Sequence, residues 1–187
     1  MRIISGYLKG KSIKYVKSKT TRPLKDLVKE SIFNVINHSN LFNLKIEKAV
    51  VLDLYSGVGS FGLECISRGA KKVVFVEEDK SALNHLNENI TSLSVKEKVA
   101  TVSDNTENYL KRNINSKFEI IFLDPPFLDN SFLNDLKLIC EKKIFKKNHL
   151  VIIHREKKSN DDLENFVNPI LTKNYGRSKI IFGKFLF

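Results

Sequence analysis

Short apolar runs recur along this chain at helix-length intervals, at Ala49–Tyr55, Val73–Val76, Val99–Val102, Phe118–Leu123 and Leu150–Ile153. Near-continuous apolarity marks strands covered on both faces, and parallel strands need crossover helices between them. The pattern therefore predicts an α/β fold on a mostly parallel sheet. The intervals predict helices at Phe61–Arg68, Lys80–Leu93, Glu107–Arg112 and Asn130–Lys143, the last with Phe132, Leu133, Leu136, Ile139 and Cys140 at helical spacing. Past the fifth run come a polar stretch, Arg155–Asp162, a helix expected to end at Val167, and a closing pair, Ile170–Thr172 and Lys179–Phe187. Turn chemistry at Asn174-Tyr175-Gly176 predicts that this pair is an antiparallel hairpin on the sheet edge.

Two elements precede the sheet. Arg2–Ser5 and Ser12–Val16 flank a Gly6…Gly10 turn and predict a short hairpin bearing Arg2, Lys9, Lys11 and Lys14. Thr20-Thr21-Arg22-Pro23 is expected to open a helix whose Leu24, Leu27, Val28, Ile32, Val35 and Ile36 form one apolar stripe. A length of 187 residues fits one domain, with residues 1–40 as a basic extension and 48–187 as the core.

Lys and Arg outnumber Asp and Glu by 32 to 21, a net charge of +11 that suits a polyanionic partner such as nucleic acid. A chain so rich in Lys, Asn and Ile also carries lysines that merely solvate it. Cys65 and Cys140 lie among apolar residues with no short Cys or His ligand spacing, so they read as reduced core thiols of a cytoplasmic protein rather than metal ligands. No apolar stretch approaches the roughly 18 residues of a membrane span, and the N-terminus breaks at Gly6, too early for a signal peptide.

The first predicted strand runs into Asp53-Leu54-Tyr55-Ser56-Gly57-Val58-Gly59-Ser60-Phe61-Gly62, whose glycines satisfy G-x-G-x-x-G. Glu77, 20 residues beyond Gly57, stands where a ribose-binding carboxylate belongs. A pyrophosphate, however, wants the glycines at the strand's end and no negative charge beside it. Asp53 suits instead an ammonium and a sulfonium, both of which S-adenosylmethionine carries. Asp53, Tyr55, Ser56, Gly57, Gly59 and Glu77 are accordingly candidate cofactor contacts, against the plainer reading of a tight strand-to-helix turn. At the third strand's tip, Asp104 or Asn105 could accept from an adenine amino group, and either could equally be a helix N-cap.

Asp124-Pro125-Pro126-Phe127 follows the fourth run directly. Two prolines donate no backbone N–H and hold the chain extended. The Asp124 carboxylate and the proline carbonyls thus offer acceptors only, a match for a planar amine, and Phe127 offers a stacking face worth roughly 1–3 kcal/mol. The four residues could also be no more than a rigid loop. Their place on the sheet edge where open α/β folds bind ligands favours a catalytic reading for Asp124, Pro125, Pro126 and Phe127.

In this order the residues resemble the class I S-adenosylmethionine-dependent methyltransferases with their Rossmann-like, seven-stranded sheet, and among them the RsmD-type 16S ribosomal RNA guanine methyltransferases. The resemblance rests on Arg2-Ile3-Ile4-Ser5-Gly6, on Thr21-Arg22-Pro23 with Glu30-Ser31-Ile32-Phe33-Asn34, on Asp53 through Glu64, on Glu77-Glu78-Asp79 and on Asp124-Pro125-Pro126-Phe127. Leu24 and Lys25 stand where the family usually has small polar residues, Ser56 replaces a common Ala, and Asn105 a frequent Asp. The resemblance implies methylation of the 2-amino group of a guanine in 16S rRNA, in an assembling or assembled small subunit, by a monomer that needs no metal or membrane. Arg2, Lys9, Lys11 and Arg22 are then expected to neutralise RNA phosphates. The rival readings are an amino-methyltransferase acting on adenine or cytosine, an RNA-binding protein with a vestigial cleft, and an NAD-dependent oxidoreductase, which leaves Asp124-Pro125-Pro126-Phe127 without a role.

Overall fold

The computed structural model describes residues 1–15 and 24–186. Seven strands form one sheet, β1 (Val50–Leu54), β2 (Lys72–Glu77), β3 (Val99–Ser103), β4 (Phe118–Leu123), β5 (Phe145–Glu156), β6 (Val167–Tyr175) and β7 (Ser178–Phe185), in the spatial order β3-β2-β1-β4-β5-β7-β6. The first five pair in parallel, while β7 runs antiparallel to both β5 and β6. The strand order reverses between β1 and β4, so the crevice at this switch point opens at their C-terminal ends.

Helices α1 (Asp26–His38), α2 (Ser60–Ser67) and α3 (Lys80–Ser92) cover one sheet face, and α4 (Thr106–Lys111) and α5 (Phe132–Lys142) the other. On the first face Phe61 of α2 stacks on Phe122 of β4 with ring centroids 4.1 Å apart, and on Phe33 of α1 at 5.2 Å. On the second, Phe132, Leu136 and Ile139 of α5 share a core with Phe118, Ile121 and Leu123, of which Ile121 and Leu123 alternate with Ile120 and Phe122 on the first face.

Several expectations need correction. No helix ends at Val167; residues 164–166 make only turns, and β6 begins at Val167 itself. The fifth strand extends well beyond its apolar centre, from Phe145 to Glu156, and a register shift between Phe118 and Ile120 accommodates its polar start. Among the described residues the N-terminal hairpin is a single antiparallel bridge, Arg2 to Ser12, reinforced by Ile3 N to Lys11 O and Ile13 N to Met1 O, and Val16 lies outside them. Leu27 is 69 % exposed and drops out of the apolar stripe of α1, whereas Lys29 and Phe33 are buried in it. The proposed helix opening at Thr20 to Pro23 lies outside the described residues.

Burying Lys29 requires partners, and it has them. Its ammonium donates to Arg2 O at 2.7 Å and to Ser60 Oγ at 3.3 Å, and lies 3.7 Å from the buried Glu64 carboxylate. Burial lowers its pKa and the Glu64 charge opposes that shift. Glu64 also accepts from Ile4 N, Ser5 N and Arg68 Nε, and Ser67 Oγ accepts from Leu8 N. The N-terminal arm is thus fastened along α2 by backbone N–H groups that meet Glu64 and Ser67.

Candidate active site

A cavity of about 790 Å³ opens at the C-terminal ends of β1, β2 and β4. It gathers Asp53, Tyr55, Ser56, Gly57, Glu77, Asp104, Asn105 and the four residues Asp124 to Phe127, which the sequence had scattered over more than seventy positions.

The loop after β1 is shaped by backbone conformation. Gly57 and Gly59 have φ of +54° and +82°, values that cost an L side chain energy. Tyr55 takes φ of +58° as well, and its side chain supplies compensation, donating from Oη to Asp135 Oδ2 at 2.5 Å. Burial and this contact raise the Tyr55 hydroxyl, while burial pushes the Asp135 carboxyl up to about 6 against the opposing Tyr55 bond. Glu77 closes the loop from β2, accepting from Gly57 N at 2.7 Å and from Asp79 N at 2.8 Å. Its pKa is raised by burial, with those two bonds opposing.

Asp53 is buried on β1 and accepts from Gly62 N, in the first turn of α2, at 2.9 Å. Burial drives its carboxyl well above the usual carboxylate range; the Gly62 bond resists, and the charges of Asp124 and Glu77 add to the rise. Three carboxylates therefore share one partly enclosed cleft, an arrangement that favours a cation.

At the tip of β3 the two alternatives separate by role. Asn105 caps α4, its Oδ1 accepting from Asn108 N at 2.8 Å. The Asp104 carboxylate accepts from Asn108 Nδ2 at 3.1 Å and pairs with Arg112, and the Asn108 and Arg112 bonds lower its pKa. Both residues still line the cavity.

The loop after β4 is held by side chains from β5. The register Leu123 to Ile153 places Asp124 beside His154, and His154 Nδ1 lies 2.7 Å from Asp124 Oδ1. The His154 ring meets Phe127 edge-on, with centroids 5.3 Å apart. From the opposite sheet face the buried Arg155 donates to Pro126 O at 3.0 Å and Phe127 O at 3.3 Å, pairs with Asp161 at 2.9 Å and lies over the Phe132 ring. Two of the loop's carbonyls are thereby occupied. Asp124 and Pro125 also line the cavity, and the Pro125 carbonyl holds no donor among the described residues.

His154, Arg155, Asp161 and Asp135 were not anticipated. His154 carried a usable signal, since it follows the fifth apolar run as directly as Asp124 follows the fourth. Arg155 and Asp161 read as a solvated polar stretch, and nothing in their spacing reveals that they fold inward. Arg2, Lys9 and Lys11 are exposed on the arm, but none lines the cavity. Tyr7 and Leu8, next to Lys9, bond to Ser67, at the end of α2 far from the loop after β1. Met1 and Tyr15, at the arm's two ends, do reach the cavity. Arg22 lies outside the described residues.

A family model described as conserved hypothetical protein 95 matches residues 1–184. The ribosomal RNA small subunit methyltransferase D of Haemophilus influenzae is 35% identical over 159 residues, 84% of this chain and 79% of that one. The protein of the same name from Buchnera aphidicola subsp. Baizongia pistaciae is 32% identical over 186 residues, covering 100% of this chain and 91% of its own. Among solved structures, a candidate methylase of Haemophilus influenzae superimposes with a TM-score of 0.78 at 29% identity, covering 97% of this chain and 96% of that chain. The Escherichia coli protein yhhF gives a TM-score of 0.81 at 24% identity over 98% and 96% of the two chains, a likeness of fold.

Proposed function

Since this chain belongs to the conserved hypothetical protein 95 family, that of the RsmD methyltransferases, we propose that it transfers a methyl group from S-adenosylmethionine to the exocyclic 2-amino group of one guanine in small-subunit ribosomal RNA. The observation that carries this reading is a cleft lined by the buried Asp53 and the half-buried Glu77 together with Asp124-Pro125-Pro126-Phe127, whose two prolines offer no N–H. The rRNA comes from the relatives' names, and the amino group from the acceptors at Asp124 and Pro125.

The residues fit the cofactor. Ser56 Oγ is buried with no partner among the described residues, and a Cβ built on Gly57 would meet nothing within 4 Å, so the loop offers both an unspent polar atom and room beside it. Asp53, Tyr55, Ser56, Gly57 and Glu77 would hold it, with Asp104 and Asn105 at the adenine end, while Gly59, which does not line the cavity, would shape the turn behind them. When bound, it supplies a methyl group activated by a positive sulfonium. Each Glu77 oxygen holds one backbone N–H and retains a lone pair for a ribose hydroxyl.

The nitrogen of a guanine amino group is a poor nucleophile because its lone pair is delocalised into the ring. Asp124 and the Pro125 carbonyl accept its two N–H bonds and turn the lone pair toward the methyl group. Phe127 stacks on the base, which must be unpaired or flipped out to enter. Most of the acceleration then comes from positioning. Arg2, Lys9, Lys11 and Arg22 contact phosphates, and residues 1–40 serve as the RNA-binding part of a one-domain, monomeric, cytoplasmic enzyme.

Asp124→Ala is expected to abolish transfer of labelled methyl to 16S rRNA or 30S subunits while calorimetric binding of S-adenosylmethionine persists. Transfer at a near wild-type rate overturns the mechanism, and labelling of duplex DNA in preference to rRNA overturns the substrate.

A further inference from the structure

We propose that His154 is the positioning residue for Asp124, fixing its carboxylate so that one oxygen alone meets the substrate amine; the proposal rests on the amino-methyl transfer argued above. The parallel register that pairs Leu123 with Ile153 sets Asp124 and His154 side by side at the ends of β4 and β5. Strand alternation puts both on the face that also carries Asp53, because Asp53, Phe122 and Ile152 are register partners and Asp124 and His154 lie two residues further on. His154 is only 4 % exposed. Its ring is fixed by the 2.7 Å bond to Asp124 and the edge contact with Phe127, the residue assigned to hold the base.

The tautomer follows from the surroundings. The carboxylate facing Nδ1 is an acceptor, so Nδ1 carries the hydrogen. Nε2 is buried with no partner among the described residues. An N–H there would be an orphaned donor, costing about 1–3 kcal/mol, so Nε2 carries the lone pair. His154 thus donates to Asp124 Oδ1 and leaves Oδ2 for the amine N–H. In the transfer, the bond from nitrogen to the methyl carbon forms as that carbon's bond to sulfur breaks, the sulfur keeping the electron pair. The surplus proton on nitrogen passes to Oδ2 and then to solvent, and His154 keeps its own.

Three variants separate positioning from mere packing. His154→Leu should lower kcat roughly 10²-fold, as expected when a reacting group is released from its geometry, with the RNA KM and the S-adenosylmethionine Kd nearly unchanged. His154→Asn, whose amide N–H falls near the place of Nδ1, should recover most of the rate; His154→Gln, whose amide reaches the place of Nε2, should not. The Asn and Gln pair decides the matter if the Leu variant fails to fold. A Leu variant with wild-type kcat, an Asn variant no better than Gln, or a loss confined to KM overturns the proposal. Nitrogen-15 spectra of the wild-type imidazole should show hydrogen on Nδ1 and a bare Nε2. The reverse tautomer overturns the assignment even if the protein transfers no methyl at all, and that absence of transfer would strike instead at the function proposed above.

Discussion

The loops after β1 and β4 lie next to each other on the same sheet edge, yet they are built by opposite means. The first bends through three positive φ angles, at Tyr55, Gly57 and Gly59, and its N–H groups are collected by Glu77 and by the Ser56 carbonyl. The second has its two prolines, is drawn tight by Arg155 from one sheet face and by His154 from the other, and turns acceptors toward the cleft. One loop needs conformational freedom in its own residues. The other needs an external clamp, because prolines restrict φ but leave the carbonyls unpaired. A cleft for a cationic cofactor and an amine can be formed from two such halves.

The clamp should be the costlier part to remove. Arg155→Met leaves the Asp161 side chain buried without its guanidinium partner and removes one donor each from the Pro126 and Phe127 carbonyls, so urea denaturation should show a loss of about 3–5 kcal/mol, with S-adenosylmethionine affinity preserved in the molecules that stay folded. A loss of cofactor affinity as large as the loss of stability would mean the two loops are not independent.

The next effect lies behind the first loop, at Asp135. Its carboxyl titrates at about 6 in the fold against an ordinary 3.8, so the folded state holds a proton that the unfolded chain has lost. Stability contributed by this group is full below 3.8 and is lost as pH rises to about 6, by about 2–3 kcal/mol. Denaturation at pH 4 and pH 7 should therefore show a slope in the wild type that Asp135→Asn reduces.

Within the first loop, two glycines with similar dihedrals should respond differently. A Cβ at Gly59 would stand 2.4 Å from Leu86 Cδ1, and Gly59→Ala should cost about 2 kcal/mol by thermal melting. Gly57 faces open space, so Gly57→Ala should cost only about 1 kcal/mol of stability. Its larger consequence should be weakened S-adenosylmethionine binding in calorimetry, because the added methyl occupies the room proposed for the cofactor. Equal stability costs for the two would show that dihedral strain alone explains both glycines.

The strands were legible because burial on both faces leaves a continuous apolar signal, and β4 coincides with the predicted Phe118–Leu123. The ends of β5 were not, because His149, His154 and Arg155 are buried polar residues that bond to groups about thirty residues or more away along the chain. The supposed helix before Val167 failed because a polar stretch carries little periodicity to decide between helix and turn. Leu27 matched a helical stripe yet faces outward; α1 turns its Lys29 inward toward Glu64 instead.

Asp53, Glu77 and Asp124 were singled out as candidate site residues by the sequence alone, because each is a charge placed directly against an apolar strand, and the fold brings all three to one cavity. Tertiary structure alone decided which groups hold them. His154 and Arg155 are neighbours in sequence, but strand alternation sends them to opposite faces, one to Asp124 and the other to the carbonyls of Pro126 and Phe127. That division depends on the register between β4 and β5, which is set by packing across the whole sheet.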